Sequence, residues 1–286
     1  MMLELPRQVI VPPETIVGEN DIMRLFWRHL HNTAADVSIE VVIDDGLAKV
    51  CWSAFEFVVD GVRCVYDFSD FLLVDAACSR YRHRLRIQYL QGFVPHPNLG
   101  SFSQISFFDW PRYRKLSESL TYDASGDSIL HKQCFPPPTD LRGADLYRRR
   151  SSVQAQLVAR FGDLIDVAID PQEMFWQKAS RCLVSVHVPG SYRHSLDRGQ
   201  HQLMGLGVCT ISPELWTSTL GERPERDVHY VGCRDDLSDI PARVEWRRNH
   251  REECAAIGRR AKEFFTAHST PEAIWSYVKR RIVQLA

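Results

Sequence analysis

The chain has 286 residues, 44% of them hydrophobic and 25% charged, which is ordinary globular usage and enough for two domains of about 130 to 150 residues each. With 35 basic residues against 36 acidic ones the net charge is −1, so no global basic field recruits nucleic acid or anionic lipid, and any anion site has to be a local cluster.

Eight cysteines are scattered without a CxxC pair. Several sit in apolar runs, as in Arg181-Cys182-Leu183-Val184, and read as buried reduced thiols of a cytosolic protein. A zinc site would need closer ligand pairs, so no metal is expected. Residues 1–13 hold acidic and proline residues rather than a signal peptide. No stretch approaches the roughly 20 apolar residues of a membrane span. The expected location is therefore cytoplasmic.

In chain order, residues 20–32 carry a helical stripe of Ile22, Leu25, Phe26, His29 and Leu30. Residues 37–43 form a β-branched run, and 52–59 and 62–66 are strands joined at Asp60-Gly61, a strong hairpin signal. Residues 84–90, 102–108 and 129–134 are further strand candidates. Pro136-Pro137-Pro138 can continue neither ladder nor helix. That run is the expected interdomain linker, giving one domain over 1–138 and a second over 139–286.

The second part alternates more cleanly. Val153, Leu157 and Phe161 lie at helical spacing before Gly162, a helix stop. Residues 164–169 are strand-like. Asp170-Pro171-Gln172-Glu173 has the cap, the first-turn proline and the glutamate of a helix start. Residues 182–188 are a strand, 195–206 a helix ended by Gly207, 208–211 and 228–232 strands, and Asp235 or Asp236 caps a further helix. Two helices close the chain, one carrying Cys254, Ile257, Ala261 and Phe264, the other opening at Thr270-Pro271-Glu272. This alternation predicts right-handed βαβ units and a parallel sheet, and so an α/β fold.

The chemistry concentrates in Val186 to Gln200, a strand, a turn and a first helical turn. Ligands of open parallel sheets bind at the carboxyl ends of the strands. Gly190 permits close backbone approach, and helix-start amides favour an anion. Arg193 and Arg198 oppose the helix dipole there at roughly 0.3 to 1 kcal/mol each. A bound diphosphate reverses that sign; the plainer alternative pairs Arg198 with Asp197 on a solvated surface. No GxGxxG or GxxxxGK[ST] is present, so the phosphate would be held without a glycine cradle.

Pro189-Gly190-Ser191, Ser195-Leu196-Asp197-Arg198, Leu203 to Gly207, and His229-Tyr230-Val231 with Asp236-Leu237 resemble the donor half of GT-B glycosyltransferases, nearest to CAP10-like O-glycosyltransferases and related bacterial sugar transferases. The likeness covers residues 145–286. It implies two Rossmann-like domains facing a cleft, a terminal helix over 271–285 packing back across them, and metal-independent transfer of a sugar from a nucleotide-diphosphate sugar to a carbohydrate, protein or small-molecule acceptor.

Donor contacts are then expected from Gly190, Ser191, Arg193, Ser195 and Arg198, with Tyr230 and Asp236 in the following strand and helix start. Glu214 and Glu222 form an E-x7-E spacing, seen in some retaining glycosyltransferases, that could bind ribose or sugar hydroxyls; the alternative is loop charge. An inverting enzyme needs a base on the acceptor, for which Asp70, its neighbour Asp67, His96 and Asp109 are candidates. Lys132 could neutralise a leaving diphosphate. The rival reading is a non-catalytic nucleotide- or nucleic-acid-binding module using basic stretches such as 142–150 and 243–260. Acidic residues interleave there, so solvated helix faces explain those stretches more simply, and no nucleic-acid partner is expected.

Overall fold

A computed structural model describes residues 4–17, 21–67, 76–86, 89–90, 110–132, 141–168, 172–190, 194–218 and 222–285. The fold is mixed α/β, in two units: residues 1–113 with 217–222 and 267–286, and residues 114–216 with 223–266.

The first unit contains β1 (Gln8–Val11), α1 (Asp21–Ala35), β2 (Glu40–Ile43), β3 (Lys49–Cys51), β4 (Ala54–Val59), β5 (Val62–Asp67), α2 (Ala76–Ser79), β6 (Arg84–Arg86) and β7 (Tyr89–Leu90). The helix α3 (Trp110–Ser119) follows. The sheet runs β2-β1-β4-β5-β6, with β3 beside β4. It is mixed: β1 is parallel to β2 and antiparallel to β4, and β4 is antiparallel to β5. The expected Rossmann-like parallel sheet is thus not what this unit builds. Asp60 and Gly61 both take left-handed conformations, with φ of 46° and 83°. A two-residue turn of that kind forces its strands to be antiparallel neighbours.

The Asp60 carboxylate also accepts hydrogen bonds from the amides of Arg7 and Gln8, at 2.8 and 3.1 Å. It pairs with Lys279 of the terminal helix, so one turn residue anchors β1 and that helix. Phe26, Trp27, Leu30 and Ala34 of α1 are buried with Val9, Val11, Phe55, Phe57 and Tyr66 of the sheet. Tyr66 meets Phe55 edge-on, with centroids 5.6 Å apart. Burial lowers the pKa of His29 in this core to about 3.

The second unit contains β8 (Ile129–Lys132), α4 (Leu141–Phe161), β9 (Ile165–Ala168), α5 (Gln172–Arg181), β10 (Val184–Val186), α6 (Arg198–Gly205) and β11 (Thr210–Ser212). The short β12 (Thr217–Ser218) pairs with β7 and belongs to the first unit. Then come β13 (Val231–Gly232), α7 (Ile240–Arg248), α8 (Arg251–His268) and α9 (Pro271–Leu285).

The sheet order is β13-β11-β10-β8-β9, every pair parallel. This is the doubly wound order in which the first strand lies inside the second. Right-handed crossovers place α4 on one face and α5 and α6 on the other, in agreement with packing of α4 on α7 and of α5 on α6.

β8 precedes the triple proline yet lies inside this parallel sheet, so the expected boundary at residue 138 cuts through the second unit. The prolines themselves lie outside the described residues, between β8 and α4 in the chain. α9 groups with the first unit, through contacts to α1. The expected helix start at Asp235 or Asp236 moves to Ile240, because Pro241 fits only in a first turn and would clash deeper in.

Gly207, at φ 74°, ends α6, and α8 crosses it at Gly258. A Cβ on Gly258 would stand 1.9 Å from the Gly207 carbonyl oxygen. Gly258→Ala should therefore lower unfolding free energy by about 1–3 kcal/mol through forced separation of α8 from this turn, as read by urea denaturation; an unchanged midpoint would contradict this packing.

Candidate functional site at the switch edge of the second sheet

The chain leaves β8 toward β9 and leaves β10 toward β11. Adjacent strands whose connections diverge open a crevice beyond their carboxyl ends. Lys132, His187, Ser212 and Gly232 stand on that edge.

Asp197 is the hub. Its Oδ1 lies 2.9 Å from Nε2 of His187 and accepts from the Gln200 amide at 3.0 Å, while Oδ2 accepts from the Gly190 amide at 2.9 Å. The residue is thus the N-cap of α6 and the clamp on the β10–α6 loop. Burial raises its pKa, but the His187 imidazole and the two amides more than reverse this, leaving the carboxyl well below its usual range. His187 is 3% exposed and its ring packs on Gly199: a Cβ there would lie 2.6 Å from Cε1. His201, one turn into α6, has Nδ1 2.9 Å from the Asp197 carbonyl oxygen. Burial lowers its pKa to about 4.

A second clamp comes from α4. Arg150 donates from Nε and Nη2 to the Val188 carbonyl at 3.3 and 3.0 Å. Arg149 donates to Asp145 at 3.0 Å and to the Gly190 carbonyl at 3.1 Å. His131, in β8, has its ring nitrogens 3.3 Å from the Val186 and 3.0 Å from the Arg150 carbonyl oxygens. Burial lowers its pKa to about 4, against those hydrogen bonds. These groups hold residues 186–190 in place by satisfying carbonyls that a strand end leaves open.

The expected donor residues fall unevenly on this frame. Gly190 lies in the crevice loop, but its amide goes to Asp197 and its carbonyl to Arg149. Ser195 is buried, at 1% exposure. Arg198 is exposed at the first turn of α6. Because Asp197 already compensates the helix dipole, an anion at this edge would be held by cations more than by the helix end. Lys132 stands at the end of β8 with Nζ 5.1 Å from the Phe175 ring centroid.

Tyr230 is buried, and its hydroxyl accepts from the Leu215 amide at 3.0 Å. Burial pushes its pKa up to about 12, so it shapes the loop after β11. Asp236 is exposed and accepts from the Ser238 amide and hydroxyl at 3.0 and 2.7 Å, a turn residue rather than a helix cap. Glu214 and Glu222 belong to different units. Asp70, His96, Asp109, Ser191 and Arg193 lie outside the described residues, and Asp67 is fully buried at the end of β5.

His187, Arg149 and Arg150 were not among the expected site residues. One signal existed: Arg150 shares a helical stripe with Val153, Leu157 and Phe161, all buried. A cation on an apolar stripe has to find a partner inside.

Among the described residues, the seven cysteines are free, six of them buried. No group of three or more His, Cys, Asp or Glu there could hold a metal ion. No helix among them is long and apolar enough to cross a membrane.

No family model matches the chain. Over 104 residues, 35% of the chain, it is 34% identical to Uncharacterized protein 035R of Invertebrate iridescent virus 3, covering 9% of that protein. Over 58 residues, 20% of the chain, it is 33% identical to Uncharacterized protein 179R of Invertebrate iridescent virus 6, covering 5% of it. The chain therefore spans less than a tenth of these relatives.

Asp197→Asn removes the charge from three hydrogen bonds and should cost about 2–3 kcal/mol of stability at neutral pH. The folded pKa of Asp197 is depressed, so its contribution is full above the ordinary carboxyl value of 3.8 and declines as pH falls below it. Denaturation of both proteins from pH 7 to pH 3 should show the gap narrowing only below about pH 4; a constant gap would mean that charge is not what Asp197 supplies.

Proposed function

We propose that the second unit binds a nucleotide-diphosphate sugar at the switch edge, and that the protein is a glycosyltransferase delivering the sugar to an acceptor hydroxyl or amine. The observation that carries this reading is the all-parallel, doubly wound sheet with its β10–α6 loop clamped from two sides at the switch point. That is the place and the rigidity a nucleotide site requires.

In this proposal Arg198 and Lys132 face the diphosphate. Two cations at the leaving group stabilise the charge that develops there as the glycosidic bond to phosphate breaks. Gly190 and the clamped carbonyls set the shape of the pocket, with His187 and Asp197 as positioning residues behind it. A metal-independent reaction and a cytoplasmic setting belong to the same proposal, with the mixed sheet of the first unit standing where the GT-B resemblance implies a second Rossmann-like domain. The acceptor site is then expected outside the second unit.

The rival module reading gains little from the basic stretches. Arg149 pairs with Asp145, Arg243 with Asp239, Arg248 with Glu245 and Arg251 with Asp127, so these cations largely serve neighbouring carboxylates rather than one open basic face.

A ligand that binds only the folded state at about 100 times its Kd adds roughly 2.7 kcal/mol of stability. Thermal melting against UDP, GDP, dTDP, ADP, CMP and the matching sugar nucleotides should therefore shift clearly with one base. Arg198→Ala should abolish that shift while leaving the unliganded melting temperature nearly unchanged. No shift at millimolar concentration with any of them would remove the donor site.

A further inference from the structure

A cavity of about 450 Å³ lies in the second unit among β13, α7 and α8. Its wall includes Arg243, Trp246 and Arg247 of α7 and Arg260 of α8, with Asp227 and Glu253. Three guanidinium groups thus share one cavity with two carboxylates.

Neither carboxylate of the wall hydrogen-bonds its arginines, and Glu253 is only a loose ion-pair partner of Arg247. Asp227 accepts from the Gly232 amide at 3.0 Å and lies 3.5 Å from Nε of Arg226, outside the cavity wall. Glu253 is exposed, and its Oε2 stays 3.6 Å from Nη1 of Arg247, beyond hydrogen-bond reach. The Arg247 side chain is 7% exposed, and its Nε and Nη1 have no hydrogen-bond partner. Its guanidinium carbon lies 4.0 Å from the Trp246 ring centroid, a stacking contact that accepts no hydrogen bond in the guanidinium plane. Arg243 and Arg260 are anchored through Nε alone, to Asp239 at 3.0 Å and to the Val228 carbonyl at 2.9 Å.

A buried, charged donor without an acceptor is costly, and native proteins resolve such cases with a partner. Planar guanidinium groups match a tetrahedral or planar oxyanion, and three arginines line this one cavity. We infer that this cavity is a binding site for a small oxyanion, a phosphate or a carboxylate group, held by Arg247 with Arg243 and Arg260. The site is built from α7, α8 and the edge strand, and it is independent of the nucleotide site proposed above: either can fail without the other.

Trp246 touches Arg247 and reports on it. Inorganic phosphate and malonate, titrated separately into the full chain at constant ionic strength set with chloride, should produce a saturable change in tryptophan emission at millimolar ligand or below. Saturation by phosphate alone identifies a phosphate site; saturation by malonate as well identifies a general oxyanion site. Trp246→Phe should erase the signal, and Arg260→Ala at the wall should weaken binding roughly tenfold. Arg247→Gln should abolish binding; if that protein does not fold, Arg260→Ala and Trp246→Phe decide the matter alone. A response no larger than that to chloride, or one undiminished in Arg260→Ala, overturns the proposal.

Discussion

The Asp197 carboxylate holds the switch edge of the second sheet together. It lies where the chain turns from β10 into α6, and three groups converge on it: an imidazole from the strand end, an amide from the loop and an amide from the helix. Each is otherwise an unsatisfied donor in a poorly solvated place, and each would cost free energy if left so. Gly199 is part of the same arrangement, because only a residue without Cβ lets the His187 ring come this close to the helix start. The fold of the crevice and the local chemistry are thus one set of interactions.

Arg149 and Arg150 complete that set from the opposite face of the sheet. Both are spent on backbone carbonyls of residues 188–190, so the basic run of α4 is largely an internal strut. A helix dipole capped by an aspartate offers little to an anion, so in the proposed site the attraction comes from side-chain cations at the rim, Arg198 and Lys132.

Much of the second unit could be read directly from the chain. Gly162 and Gly207 stop helices, apolar runs of strand length alternate with stripes at helical spacing, and the parallel sheet follows. The misreadings have local causes. Three prolines resemble a domain linker, but β8 before them pairs in the same parallel sheet as the strands that follow. β1 is four residues between prolines, too short for periodicity to register, yet it lies in the interior of the first sheet. Asp197 looked like a surface partner for Arg198 because adjacent residues invite pairing. Its actual partners are three to ten residues away and meet it only when the strand and helix are in place. Asp60-Gly61, by contrast, was legible because its signal is contained in two residues.

The central claim is that this edge holds a nucleotide-diphosphate sugar, and phosphorus NMR of the donors tests it most directly. Each sugar nucleotide is observed alone and with an excess of the full chain. The account predicts that both phosphorus resonances of one donor broaden or shift, and that the Arg198→Ala protein leaves them largely unperturbed. Resonances that stay unchanged for every donor in the presence of folded protein would contradict it.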